Sequence, residues 1–105
     1  MKEAETMKSN IEVNGTSMTI ALEGRLDTLT APELQEALKQ YRLSDILEIV
    51  VDLEKLEYIS SAGLRVLLEA FRSMKQGGKL RVVNANEITR KVFEVTGFQN
   101  IFTIE

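Results

Sequence analysis

Val51-Asp52-Leu53-Glu54-Lys55-Leu56-Glu57-Tyr58-Ile59-Ser60-Ser61-Ala62-Gly63-Leu64-Arg65-Val66-Leu67-Leu68 is the stretch on which the reading of this chain turns. A β-branched run, Glu48 to Leu53, ends in an acidic loop, and a Ser-Ser-Ala-Gly turn then opens an amphipathic helix. Two hydroxyls therefore stand at a helix N-terminus, where free backbone N–H groups and the positive end of the dipole favour an anion. A serine in that position serves as a simple cap, as a contact to a bound phosphate, or as a residue that is itself phosphorylated.

Outward from this turn, the pattern alternates strands and helices. Ile46 to Leu53 is almost continuously apolar, as in a central strand buried on both faces. On its C-terminal side Leu64, Leu67, Leu68, Phe71 and Met74 trace one helical stripe, closed by Gly77-Gly78. Leu80 to Val83 forms a short strand, Ile88, Val92, Phe93 and Val95 suggest a third helix ended by Gly97, and Phe98, Ile101 and Phe102 read as a last strand or docking tail. On the N-terminal side, Ile11–Val13 and Ser17–Leu22 are β-prone runs around Asn14-Gly15, a strong hairpin signal. Gly24-Arg25-Leu26-Asp27 breaks the second run. Thr30 with Glu33 resembles a capping box, Pro32 suits a first turn, and Leu34, Ala37, Leu38 and Tyr41 carry the helix to about Arg42.

The order ββαβαβαβ predicts a single α/β domain with a mixed, mostly parallel sheet, an N-terminal hairpin and about three helices. Residues 1–9 are polar and aperiodic and read as a flexible tail, leaving 10–105 as the domain.

Composition narrows the chemistry. The 105 residues suffice for a core without staples, and a net charge of −3 argues against a generic nucleic-acid binder. No apolar stretch reaches membrane-span length and no signal-peptide core is visible, so a cytoplasmic setting is the expectation. With no cysteine and no histidine there is no thiolate chemistry, Ser-His-Asp triad or His-based zinc site. Asp52 invites a magnesium reading, but a lone carboxylate at a strand end is much more often structural. Nothing here has the Gly-rich loop or P-loop lysine of a nucleotide site. No catalytic residue, metal or cofactor is expected.

Two segments, Glu23-Gly24-Arg25-Leu26-Asp27-Thr28-Leu29-Thr30-Ala31-Pro32-Glu33-Leu34 and Asp52 through Leu68, resemble the signature regions of STAS domains, particularly the stand-alone anti-sigma factor antagonists of bacteria. The resemblance covers almost the whole chain. It implies a partner-switching regulator that binds an anti-sigma factor with serine-kinase activity. The kinase inactivates the antagonist by phosphorylating one serine, and a serine phosphatase restores it. In the family motif that serine lies two positions before a Gly-Leu pair; here the pair is Gly63-Leu64, which gives Ser61. Many antagonists have aspartate at the preceding position where this chain has Ser60, which stands as the alternative acceptor. A STAS-type scaffold that binds partners without being phosphorylated is the alternative function.

The site expected from these readings comprises Arg25, Asp27, Thr28, Ser60, Ser61, Ala62, Gly63 and Arg65. Arg25 and Arg65 would supply interface charge pairs. Ala62 and Gly63 would let a partner backbone approach. Asp27 sits in a β–α loop, where parallel sheets place functional groups; capping or bracing that loop is the equal alternative. A phosphate on Ser61 would add about −1.5 to −2 charge that the helix end holds without unfolding but that a packed interface rejects. A free monomer is the simplest expectation for a protein that exchanges partners.

Overall fold

In a computed structural model, residues 7–105 are described, and they form a five-stranded sheet with helices on one face. In chain order the elements are β1 (Met7–Asn14), β2 (Ser17–Leu26), α1 (Ala31–Leu38), β3 (Glu48–Ile59), α2 (Ser61–Ser73), β4 (Lys79–Val83), α3 (Glu87–Thr96) and β5 (Thr103–Ile104). Single 3₁₀ turns at Leu43–Asp45 and Phe98–Asn100 complete the connections. The sheet order is β1-β2-β3-β4-β5, with β1 antiparallel to β2 and every other neighbour parallel. The ββαβαβαβ architecture expected from the sequence is the one observed. Each crossover steps one strand further the same way, so right-handed connections lay all three helices on the same side.

Alternation along the strands shows which side is dry. Met18, Ile20 and Leu22 of β2, Ile49, Val51 and Leu53 of β3, and Leu80 and Val82 of β4 are fully buried. They join Leu34, Leu64, Leu67, Ala70 and Phe93 from the helices in one core. Phe102 closes it, packed edge-on against Phe71, Phe93 and Phe98 with centroids 5.9, 6.4 and 5.5 Å away. The opposite face has no helix among the described residues. Thr19 is exposed there, and Val50, Asp52 and Arg81 are half-buried. Arg81 bridges Glu48 at 3.0 Å and Glu105 at 2.8 Å on that face. β3 is therefore buried on one face and not two: its apolar run reflects β-branched filling of a half-open sheet.

Several boundaries differ from expectation. Strand β1 begins at Met7, so residues 7–9 belong to the sheet, with Met7 opposite Gly24 and Ser9 opposite Leu22. The polar side chains of Lys8 and Ser9 mask a strand whose inward positions are Met7, Ser9 and Ile11; residues 1–6 of the expected tail lie outside the described part. The hairpin is one position later than Asn14-Gly15: Asn14 pairs with Ser17, and Gly15, at φ 66°, starts the loop. Gly24 (φ 91°) does not end β2 but sits between two register shifts, after which Arg25 and Leu26 rejoin β3. The same pairing straightens the expected acidic loop into the last half of β3, through Tyr58 and Ile59. Helix α1 stops at Leu38, short of Arg42, and α2 stops at Ser73, before the glycines.

Candidate functional site

The C-terminal ends of β2 and β3 bring the two resembling segments together. Leu26 pairs with Ile59, and the N–H of Ser60 donates to the Leu26 carbonyl at 2.9 Å, tying the start of α2 to the strand next door. Ser60 is the cap: its backbone is extended, its carbonyl accepts from Leu64 N–H at 3.0 Å, and its hydroxyl accepts from Gly63 N–H at 3.4 Å. Ser61 is the first helical residue and is exposed. Its hydroxyl makes no hydrogen bond among the described residues. The two adjacent serines thus differ: one hydroxyl is spent on the helix and the other faces outward.

Gly63 has a different role from the one its position suggested. It is buried, and a Cβ there would stand 2.7 Å from Leu26 Cγ, 2.9 Å from Leu26 Cδ2 and 3.0 Å from Ile59 Cγ1. The glycine lets α2 lie against the sheet, so it offers no surface to a partner. Ala62 is half-buried and Arg65, one turn after Ser61, is exposed.

The β2–α1 loop borders the same end of the sheet. Asp27 accepts from Leu29 N–H at 3.0 Å, from Thr30 N–H at 3.1 Å and from the Thr30 hydroxyl at 3.2 Å. Burial raises the pKa of its carboxyl, but the amides of Thr30 and Leu29, the Thr30 hydroxyl and nearby Arg25 outweigh this and leave it below its ordinary value. With its side chain 18% exposed, Asp27 braces the loop. Thr30 is no capping box: it is buried, its side chain caps no amide of α1, and its hydroxyl donates to Arg25 O at 2.7 Å. Arg25 lies over the Tyr58 ring, 4.6 Å from its centroid, with its Nε 3.7 Å from Asp27 Oδ2. Thr28 is exposed, and beside it Leu29 is 74% exposed.

Leu29 and Tyr58 escaped the sequence reading. Tyr58 is half-exposed with a cation over its face. Leu29 falls outside the Leu34–Ala37–Leu38 period, and that misfit was the available signal. The third β–α loop lies close: Asn86 donates to the carbonyls of Leu56 and Glu57 at 3.2 and 3.4 Å and caps α3 by accepting from Thr89 N–H at 2.7 Å. Asp52 also has a structural task, accepting from Glu54 N–H and from Asn84 Nδ2 at 3.1 and 3.0 Å. Among the described residues no cluster of three or more metal-ligating side chains occurs, and no helix is long and apolar enough to cross a membrane. An apolar groove of about 270 Å³ between α1 and α2, lined by Leu38, Tyr41, Val66 and Ala70, contains none of the expected site residues.

Residues 8–105 match the STAS domain family. The chain is 32% identical over 87 residues to the anti-sigma-B factor antagonist of Listeria monocytogenes, covering 82% of this chain and 76% of that protein. In structure it resembles an anti-sigma factor antagonist from Mycobacterium paratuberculosis, with a TM-score of 0.85 at 22% identity over 99% of this chain and 89% of that one. It also resembles the Bacillus cell fate determinant SpoIIAA in its phosphorylated form, with a TM-score of 0.70 at 21% identity over 93% of this chain and 91% of that one.

Proposed function

The chain belongs to the STAS domain family, as an anti-sigma factor antagonist, and from that premise we propose that phosphorylation of Ser61 switches it off. The family is regulatory, so the protein acts by partner exchange and not by catalysis. It binds an anti-sigma factor and so frees a sigma factor. That anti-sigma factor is a serine kinase, and a serine phosphatase reverses the modification.

The observation that carries this reading is the division of labour between the serines. Ser60 Oγ is held by Gly63 N–H, whereas Ser61 Oγ is exposed and unengaged among the described residues. A phosphate there would meet the N–H groups of Ser61 and Ala62 and the positive end of the α2 dipole. Arg65, at i+4, is within reach of the same charge. The fold would tolerate the modification, and a solved neighbour of this fold is itself in phosphorylated form. A protein interface over this end would not tolerate it, because the dianion would be desolvated against packed groups.

The contact surface consists of Thr28, Ser60, Ser61, Ala62 and Arg65 with the Arg25–Tyr58 pair, and Leu29 adds an exposed apolar anchor. Asp27 shapes this surface from beneath. Incubation with ATP and the anti-sigma factor kinase of its own host, followed by mass mapping, should place one phosphate on Ser61. The phosphate should persist in Ser60→Ala and vanish in Ser61→Ala. Binding of the anti-sigma factor unchanged by Ser61→Asp would instead identify the domain as an unswitched scaffold.

A further inference from the structure

The sheet has an edge that its own chain does not cover among the described residues, and we infer that a second copy covers it: two β1 strands pair antiparallel about a two-fold axis at Asn10, giving one continuous sheet. This is independent of the phosphorylation proposed above.

β1 is the outermost strand and pairs with β2 over its whole length without a register shift. Long edge strands are normally blunted by a bulge, a proline, charged side chains or a covering element; Met7–Asn14 has no bulge and no proline, and its two charges, Lys8 and Glu12, are of opposite sign and so can be paired by a symmetric partner. The loop of two residues fixes which backbone groups face out. In such a hairpin the closing pair, Asn14 with Ser17, exchanges hydrogen bonds. Even-numbered residues of β1 therefore bond to β2, and the N–H and C=O groups of Met7, Ser9, Ile11 and Val13 point away from the sheet. An antiparallel partner must pair these odd positions with one another, which allows only registers of even sum.

Charge chooses among those registers. Lys8 and Glu12 are both exposed, project from the open face, and have no ion-pair partner among the described residues. A two-fold axis at Asn10 sets Lys8 of each copy opposite Glu12 of the other, in the closely spaced non-hydrogen-bonded positions. An axis at Lys8 or at Glu12 would place like charges face to face. An axis at Ser9 or Ile11 would leave Lys8 and Glu12 opposite neither each other nor any other described charge. On the helix-side face the chosen register sets Met7 opposite Val13 and Ser9 opposite Ile11. Val13, now 45% exposed, gains an apolar neighbour there. The interface is isologous, as a two-fold dimer requires. None of its residues belongs to the site around Ser61, so each dimer would offer two anti-sigma factor sites. The monomer expected from the sequence would then be the dilute form.

Sedimentation equilibrium of the full chain at low salt tests this. The wild-type protein should show a concentration-dependent monomer–dimer equilibrium. Lys8→Glu and Glu12→Lys should each weaken it about tenfold, since each turns two attractive pairs into repulsive ones. The double variant Lys8→Glu/Glu12→Lys, with opposite charges restored, should dimerise as the wild type does. Ser9→Pro should abolish the dimer while leaving the far-ultraviolet dichroism unchanged, because the lost N–H points outward. A wild type that stays monomeric to submillimolar concentration overturns the inference. So does a dimer that survives both single reversals, or one that the double variant fails to recover. If Ser9→Pro does not fold, the three charge variants decide alone.

Discussion

Gly63→Ala isolates the packing of α2 on the sheet. The added methyl would lie 2.7 Å from Leu26 Cγ and 3.0 Å from Ile59 Cγ1, whereas carbon atoms rest at about 3.5–4.0 Å. Some group must therefore move by about 1 Å. Leu26 and Ile59 have no slack: both are fully buried, and they face each other across paired strands. The remaining route is to lift the start of α2, which strains the Ser60 N–H bond to Leu26 O. Overpacking of this kind costs about 1–3 kcal/mol. Replacing glycine by alanine in a helix returns up to about 1 kcal/mol, less in a first turn. The net is a loss of about 1–2 kcal/mol, a fall in Tm of about 5–10 °C for a domain of this size. Urea denaturation should show a lower midpoint with an unchanged m value. Anti-sigma factor binding by the folded fraction should fall too, because the Ser60–Ser61 turn is carried on the displaced helix end. A variant as stable as wild type but defective in binding would refute this reasoning and return Gly63 to the partner surface.

Other substitutions separate the remaining roles. Ser60→Ala should cost about 0.5–1 kcal/mol by urea denaturation, at the modest end for a cap because its bond to Gly63 N–H is long at 3.4 Å, and Ser60→Asp should restore most of it. Asp27→Ala should remove about 1–2 kcal/mol at neutral pH by freeing the amides of Leu29 and Thr30. Its folded pKa is below the unfolded value, so the contribution is complete above the unfolded value and is lost as pH falls through the folded one. Wild-type and variant stabilities should therefore differ by a constant amount above about pH 5 and converge below about pH 4. Phe102→Ala should cost about 3–5 kcal/mol by urea denaturation, since its ring touches three others. An undiminished midpoint would show that the 3₁₀ turn and β5 do not close the core.

What the sequence revealed and what it hid follow from the range of the forces involved. The hairpin, the ββαβαβαβ order and the Ser60–Ser61 helix start are written in local terms: a glycine at a turn, an apolar period, a capping hydroxyl. The errors arise where a distant partner overrides the local signal. Gly24 reads as a break because glycine weakens a strand, yet β3 pairs with Arg25 and Leu26 beyond it and turns the interruption into an irregularity within the strand. The segment from Glu54 to Tyr58 reads as a loop because its charges suit solvent. It is strand because β2 reaches across to it, and its charged side chains simply occupy exposed positions. Thr30 has the right neighbours for a capping box, but Arg25 O captures its hydroxyl, a contact across the loop that no spacing rule contains.

The same distinction governs the site. Which serine caps the helix could not be read from Ser60-Ser61, because both are good capping residues and a helix start is legible only to within a residue or two. The strand decides. Ile59 ends β3 paired to Leu26, so Ser60 is the first residue free of the ladder and its N–H still completes the bond to Leu26 O. That leaves Ser60 extended, as a cap must be, and makes Ser61 the first helical residue. The residue preceding the proposed acceptor is therefore required to cap. Aspartate and serine both do so, and the departure from aspartate at this position changes the charge beside the acceptor without changing the geometry that presents it. The unmodified site of this chain thus carries one negative charge fewer than one with aspartate, so a phosphate on Ser61 would make the larger relative change in the field a partner meets.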